Sequence, residues 1–124
     1  MTSGRMRRVD EALRQVLGDA IIGELKDPRI GFVTVTDVRT SVDLRHASVY
    51  VSVLGPDGEP SPEAERGQTL DGLRSAHGYL QGRIGAELKL KRTPALEFVY
   101  DATTDRALRV EALLDEIQNE TGDA

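Results

Sequence analysis

Residues 61–100 read SPEAERGQTLDGLRSAHGYLQGRIGAELKLKRTPALEFVY and predict a helix, a break, a second helix, a basic turn and a strand. Ser61 suits a helix cap and Pro62 the first helical position, where its missing N–H is not needed. Pro94 stops helical structure, and the alternation that follows predicts a strand over residues 96–100. Apolar residues before it recur mostly at spacings of three and four, which gives both helices an apolar face: Ala64, Leu70, Leu73, Ala76, Leu80, Ile84 and Leu88.

Two positions for the break between the helices compete. Residues 82–85 spell Gly-Arg-Ile-Gly, the GxxG pattern by which KH domains clamp a nucleic-acid backbone. A break there would leave only residues 86–90 for the second helix, which is too short. A break at residues 76–78, Ala-His-Gly, leaves a helix of normal length. We therefore place the break there, interpret GxxG as chance, and expect Gly82 and Gly85 to cost up to about 1 kcal/mol each inside a helix.

The flanking sequence completes an α+β pattern. An apolar stripe predicts a helix over residues 5–25, on which Asp10 and Arg14 are spaced for an i,i+4 ion pair. Strands over residues 32–39 and 44–54 form a hairpin with one covered face and one wet face. A last helix is predicted over about 105–119, where Leu108, Ala112, Leu113 and Ile117 can pack. The covered strand face comprises Val33, Val35, Ala47, Val49, Val51 and Val53, and the wet face Thr34, Thr36, His46, Ser48, Tyr50 and Ser52.

Length and composition indicate a soluble globular protein of one domain. We expect residues 1–124 to form that domain, with a core over about 5–104 followed by a C-terminal helix and acidic tail over 105–124. The chain contains no cysteine, which rules out disulfides and thiolate metal sites. No stretch approaches the roughly 18 apolar residues of a membrane span. These features suit a cytoplasmic protein.

The net charge of −5 is unevenly distributed along the chain. Residues 1–100 hold 14 basic and 14 acidic residues, and residues 101–124 hold 2 and 7, so the last segment supplies the whole excess. Residues 74–92 carry a net charge of +4, and residues 1–8 add three arginines without an acid. Local charge of this kind can attract an anionic partner, although solvated faces would give the same composition.

The sequence contains no pattern of catalytic or ligand-binding residues. The two histidines, His46 and His77, have no metal-ligand spacing, and neither a phosphate-binding GxxxxGK[ST] loop nor a GxSxG nucleophile elbow is present. We therefore expect no enzymatic activity, no cofactor and no metal. Aromatic residues are scarce near the basic stretch, which favours recognition of a nucleic-acid backbone over base stacking.

The helix–AxG–helix between a hairpin and a third strand resembles the bacterial ribosome-binding factor A family. Two further segments carry the resemblance: DPRIGFVTVTDVRTSVDLRHASVYVSVLG at residues 27–55 and ELKLKRTPALEFVYD at residues 87–101. Together they cover about residues 5–119. The resemblance implies a KH-type-II-like fold, α-β-β-α-kink-α-β plus a C-terminal helix, with a three-stranded sheet, helices on one face, and Ala-x-Gly in place of GxxG.

The family resemblance also implies a function. Its members are non-enzymatic factors that bind the free 30S ribosomal subunit late in assembly, near the 5′-terminal helix region of 16S rRNA. They support 17S-to-16S rRNA processing and growth in the cold, and an assembly GTPase can promote their release. We expect a monomer. The alternative is a protein-interaction module without RNA binding, which would use the wet sheet face or the acidic last helix.

Candidate RNA contacts follow from the resemblance and from charge. Ala76 and Gly78 allow a sharp bend and close approach of the backbone to a phosphate. Gly78 is expected to need either that close approach or a positive φ. His77 could contact a phosphate or a base, although a half-exposed position with no special role is the alternative. The basic contacts are Arg7, Arg8, Arg74, Arg83, Lys89, Lys91 and Arg92.

Overall fold

The structure, a computed structural model, describes residues 4–55, 58–59, 61–103 and 113–118. Its elements follow the predicted α-β-β-α-α-β order. Residues 113–118 are helical, whereas the remainder of the predicted last helix, with Leu108 and Ala112, lies outside the described residues. The elements are α1 (Gly4–Gly23), β1 (Phe32–Thr40), β2 (His46–Leu54), α2 (Glu63–Ser75), α3 (His77–Leu88) and β3 (Ala95–Tyr100).

The three strands form one sheet in the order β1-β2-β3. β1 and β2 are antiparallel, whereas β2 and β3 are parallel, with His46 opposite Ala95 at their starts. A parallel pair needs a long crossover connection, which α2 and α3 supply. Because β2 and β3 begin side by side, the turn before β2 and the connection before β3 meet at the same end of the sheet.

One apolar core joins the helices to the covered face of the sheet. Leu13 and Leu17 of α1, Leu73 of α2, and Leu80 and Ile84 of α3 are fully buried. Burying one such side chain stabilises the fold by about 1.5–3 kcal/mol. The predicted covered face is confirmed, since all its members are buried: Val33, Val35, Ala47, Val49, Val51 and Val53.

A β-bulge changes the predicted alternation on β1. The register with β2 shifts between Val35 and Asp37, and Val38, absent from the predicted covered face, is therefore only 1% exposed. An extra residue in one strand moves the following side chains to the opposite faces. Thr36 is consequently half-buried, and its hydroxyl donates to the Asp101 carboxylate at 2.7 Å.

The predicted wet face of the sheet shows a further departure near that hydrogen bond. Asp101 follows β3, and Thr36 lies on β1, so the bond passes over the middle strand. Ser52 of β2, which the alternation assigns to water, is only 4% exposed. The wet face is therefore partly covered at the end where β3 stops.

Two local predictions were wrong, one within α1 and one at the start of α2. Asp10 does not pair with Arg14; its carboxylate accepts the Thr40 N–H at 2.9 Å, because β1 lies against this end of α1. Arg14 pairs instead with Glu11. At the second helix, Pro62 occupies the cap position, and the Ser61 N–H donates to Val53 O at 3.2 Å, which ties this residue to β2.

Candidate nucleic-acid interface

The break between α2 and α3 falls at Ala76, within the predicted Ala-His-Gly segment. Its φ of −89° and ψ of 6° interrupt the helix, and the first backbone bond of α3 runs from Leu80 N–H to Ala76 O at 3.0 Å. Gly82 and Gly85 lie inside α3, which confirms that the GxxG spelling forms no loop. The amides of residues 77–79 precede that bond at the start of α3, where backbone N–H groups lack the regular intrahelical acceptor. Free amides at a helix start favour an anion.

Gly78 leaves an open surface at this break. Its φ is not positive, which excludes the left-handed alternative for this glycine and leaves the close approach of a partner; Gly58 is the glycine with positive φ in the described chain. A Cβ built on Gly78 would meet no atom of the described residues within 4 Å, and Gly78 is exposed. The missing side chain of Gly78 therefore affects only a partner that approaches from outside the protein.

His77 attaches the break to the third strand. Its Nε2 accepts the Leu96 N–H at 3.0 Å, which places the proton of the neutral ring on Nδ1. Gln81, one turn further along α3, donates from its side-chain amide to Pro94 O at 3.0 Å. His77 therefore has an internal role that neither alternative included, because it links α3 to β3. A partner can reach only its remaining ring surface.

Arg83 holds α3 against α1. Its Nε lies 3.0 Å from a carboxylate oxygen of Glu24, and its Nη1 lies 3.2 Å from Glu87. The negative charge of Glu24 raises the pKa of Arg83, and Glu24 also accepts the Tyr79 hydroxyl, which raises the pKa of that tyrosine. Arg83 is thus already engaged inside the protein.

Arg74 has a looser internal contact. It pairs with Asp71 one turn earlier on α2 at 3.2 Å, and both side chains are more than half exposed. Ion pairs of this kind contribute little to stability and exchange readily with other partners. Arg74 can therefore turn to a phosphate beside the break.

The basic residues after α3 are the most available cations of the basic stretch at residues 74–92. Lys89, Lys91 and Arg92 are exposed, and none forms an ion pair within the described part of the chain. Lys89 closes α3 in the left-handed conformation, with φ 49° and ψ 40°. The β1–β2 turn brings Arg45, a residue that no sequence pattern singled out, to the same cleft as Lys91 and Arg92. Residue spacing could not place Arg45 there, because only the parallel pairing of β2 with β3 brings this turn close to Lys91 and Arg92.

Arg7 and Arg8 extend the basic surface at the start of α1. Both are exposed, and the contact of Asp10 with Thr40 fixes this end of α1 beside the end of β1, where the hairpin turn begins. Arg7 also lines a cavity of about 520 Å³ that contains acidic residues. The acidic residues of this cavity therefore partly neutralise the positive charge of Arg7. The cavity is lined by Arg7, Asp10, Glu11, Arg14, Asp37, Val38 and Arg39.

The chemistry that this arrangement offers is electrostatic. Within residues 4–55, 58–59, 61–103 and 113–118, no group of three or more acidic or histidine side chains is placed to hold a metal ion. In the same residues, no helix is long and apolar enough to cross a membrane. The structure instead presents amides, unpaired cations and an open backbone surface, which are groups that bind phosphate.

Comparison with known proteins identifies similar chains. The family model of Ribosome-binding factor A matches residues 5–114. A Halothermothrix orenii protein, "Ribosome-binding factor A", is 43% identical over 120 residues, 97% of this chain and 93% of that protein. The crystal structure of ribosome-binding factor A from Thermus thermophilus is 30% identical, with a TM-score of 0.63 over 77% of this chain and 93% of that chain.

A second similar structure concerns a complex. It is a homology model of Thermus thermophilus ribosome binding factor A, fitted into the cryo-EM map of a 30S–RbfA complex. It is 29% identical, with a TM-score of 0.58 over 74% of this chain and 90% of that chain. The likeness to these structures confirms the expected KH-like α+β fold.

Proposed function

Because the chain belongs to the ribosome-binding factor A family, we propose that it binds the free 30S ribosomal subunit through 16S rRNA. The fitted 30S complex of a relative supports this partner. The observation that carries the proposal is the set of exposed cations Lys89, Lys91 and Arg92, none of which forms an ion pair with a described residue. Such cations bind phosphates by releasing condensed counterions, which makes affinity strongly salt-dependent.

The finer part of the proposal concerns the step in assembly. The protein acts late in 30S maturation, at the 5′-terminal helix region of 16S rRNA, and aids 17S-to-16S processing without catalysing a reaction. It supports growth in the cold, works as a cytoplasmic monomer, and leaves the subunit with the help of an assembly GTPase. Family membership supports these statements.

The proposed RNA surface has three parts. At the break, the free amides and the open face of Gly78 receive a phosphate, with Arg74 beside them. After α3, Lys89, Lys91 and Arg92 supply the unpaired charge, and Arg7 and Arg8 extend it along α1. Ala76 sets the bend, whereas His77 and Arg83 keep the surface in shape through their internal contacts.

The test is reversal of the unpaired charge. Changing Lys89, Lys91 and Arg92 together to Glu should abolish cosedimentation with 30S subunits while leaving the circular dichroism spectrum unchanged. If about four phosphates are neutralised, log K of the wild-type protein should fall with log salt at a slope of roughly −3 to −4. The matched control compares Lys91→Glu with Lys26→Glu, an exposed residue between α1 and β1.

Only Lys91→Glu should weaken subunit binding. Retained binding by the folded triple variant would remove these residues from the interface. Equal losses from Lys91→Glu and Lys26→Glu would instead attribute binding to the overall charge of the protein.

A further inference from the structure

We propose that the cleft between the β1–β2 turn and the α3–β3 connection is a binding site for single-stranded RNA. Arg45, Lys91 and Arg92 contact its phosphates. The inference rests on the proposed function in taking RNA as the partner, and it adds the form of RNA and the residue Arg45. The cleft is lined by Asp43, Leu44, Arg45, Leu90, Lys91 and Arg92.

The parallel pairing of β2 with β3 builds this cleft. The Ala95 N–H donates to Arg45 O at 2.8 Å, one residue before the paired part of β2 begins. The turn on one strand and the connection on the other are thereby fixed side by side, although Arg45 and Lys91 are far apart in sequence. The cleft between them measures about 360 Å³, within the range of roughly 300–1,000 Å³ that is typical of small-ligand sites.

The cleft has an excess of positive charge. Its lining holds three cations and one acid, a net charge of +2, and Lys89 stands next to it. The acid, Asp43, is occupied by its own turn: its Oδ1 accepts the Ser41 hydroxyl at 2.6 Å and the Arg45 N–H at 3.1 Å. Its Oδ2 lies 3.9 Å from Arg45 Nε, a loose pair, and the Arg45 side chain is 62% exposed. The guanidinium can therefore turn to a phosphate.

Two leucines in the cleft favour binding of single-stranded RNA over duplex RNA. Leu44 and Leu90 are half-buried and form apolar walls between the cations. A duplex hides its base faces and presents chiefly phosphates and 2′-hydroxyls to a protein. An unpaired strand also offers riboses and base faces, which can lie against the leucines while its phosphates meet the cations.

The backbone on both sides of the cleft is held in an uncommon conformation. In the described chain, the non-glycine residues with positive φ are Leu44, at 60°, and Lys89, at 49°. Such backbone is uncommon outside glycine and tends to cluster at ligand sites. One of these residues lies in each of the two segments that form the cleft.

The experiment measures binding of a fluorescein-labelled 12-nucleotide single-stranded RNA of mixed sequence by fluorescence anisotropy. The wild-type protein should bind this strand more tightly than the duplex of the same sequence. Arg45→Gln should weaken single-strand binding about tenfold and make the salt slope shallower by about 0.7, the change expected for one lost phosphate contact. The control, Lys26→Gln, removes the same charge outside the cleft and should leave affinity unchanged.

Two results would overturn the proposal: tighter binding of the duplex, or equal affinities for the Arg45→Gln and Lys26→Gln proteins. Lys91→Gln, an exposed change on the opposite wall, should reproduce the loss with a wild-type circular dichroism spectrum. Cosedimentation with 30S subunits separates this proposal from the proposed function. If the wild-type protein binds subunits but Arg45→Gln binds the oligonucleotide as tightly as the wild type, only the cleft is rejected. If the wild-type protein does not bind subunits but Arg45→Gln still weakens oligonucleotide binding, only the 30S role is rejected.

Discussion

At the residue scale, two helical glycines that look equivalent in sequence have different surroundings. A Cβ on Gly72 of α2 would lie 2.8 Å from Ile30 Cγ1 and 3.4 Å from Arg29 Cβ. A Cβ on Gly82 of α3 would meet no atom within 4 Å in the part of the chain that the structure describes. Gly72 is therefore required by the packing of α2 against the segment before β1, whereas Gly82 carries only the entropic cost of glycine in a helix.

Alanine at these two positions should change stability in opposite directions. Gly82→Ala should stabilise the protein by up to about 1 kcal/mol, through helix propensity. Gly72→Ala gains the same propensity, but the overpacked contact with Ile30 should cost about 1–3 kcal/mol and give a net loss. Thermal unfolding should show the melting temperatures moving apart by several degrees. A stabilised Gly72→Ala protein would show that Ile30 moves aside freely.

At the element scale, sequence reasoning located the helices and strands but not the contacts between them. Helix length alone rejected the GxxG position and placed the break correctly at Ala76. The alternation rule failed at the Val35–Asp37 bulge, because one inserted residue reverses the faces without any signal in residue type. Asp10 was predicted to pair within its own helix, whereas the structure joins it to β1. Local periodicity contains no information on such tertiary partners.

The link between α3 and β3 yields an element-scale prediction. His77→Ala removes the acceptor for the Leu96 N–H, and Leu96 is only 9% exposed. A backbone donor left without a partner at a site of this kind costs about 1–3 kcal/mol. We expect the free energy of unfolding in urea to fall by that amount, with an unchanged m-value.

The second histidine supplies the control for this experiment. His46 is exposed at the start of β2, and His46→Ala should change the unfolding free energy by less than about 0.5 kcal/mol. If the two substitutions were equally mild, the hydrogen bond of His77 would contribute no stability, and His77 would be available to the RNA.

At the scale of the whole molecule, the fold decides which cations are available. The sequence located the basic stretch at residues 74–92 but could not show that Arg83 is held by two glutamates. Nor could it show that Arg45 lies beside Lys91, because 46 positions separate them and only the strand pairing brings them together. The net charge of residues 74–92 therefore counts Arg83, which is already paired with glutamates, and omits Arg45, which the β1–β2 turn contributes.

The acidic end of the chain provides the last prediction. Residues 111–124 contain five acids and no basic residue, so their deletion changes the net charge from −5 to 0. The expected packing of Leu113 and Ile117 is wrong, because they are 57% and 54% exposed. Deleting residues 111–124 should therefore leave the core intact, with a melting temperature within a few degrees of the wild-type value.

Binding of 30S subunits by this truncated protein should persist or tighten, because the deleted charges repel phosphates. Screening of those charges predicts that any gain is largest at low salt and disappears near 1 M, where the Debye length is about 3 Å. The measurement is subunit cosedimentation over a salt series, beside thermal melts of both proteins. A cooperatively folded truncated protein that no longer binds subunits would contradict the prediction, since it would place the contact in the acidic segment and favour a protein partner over RNA.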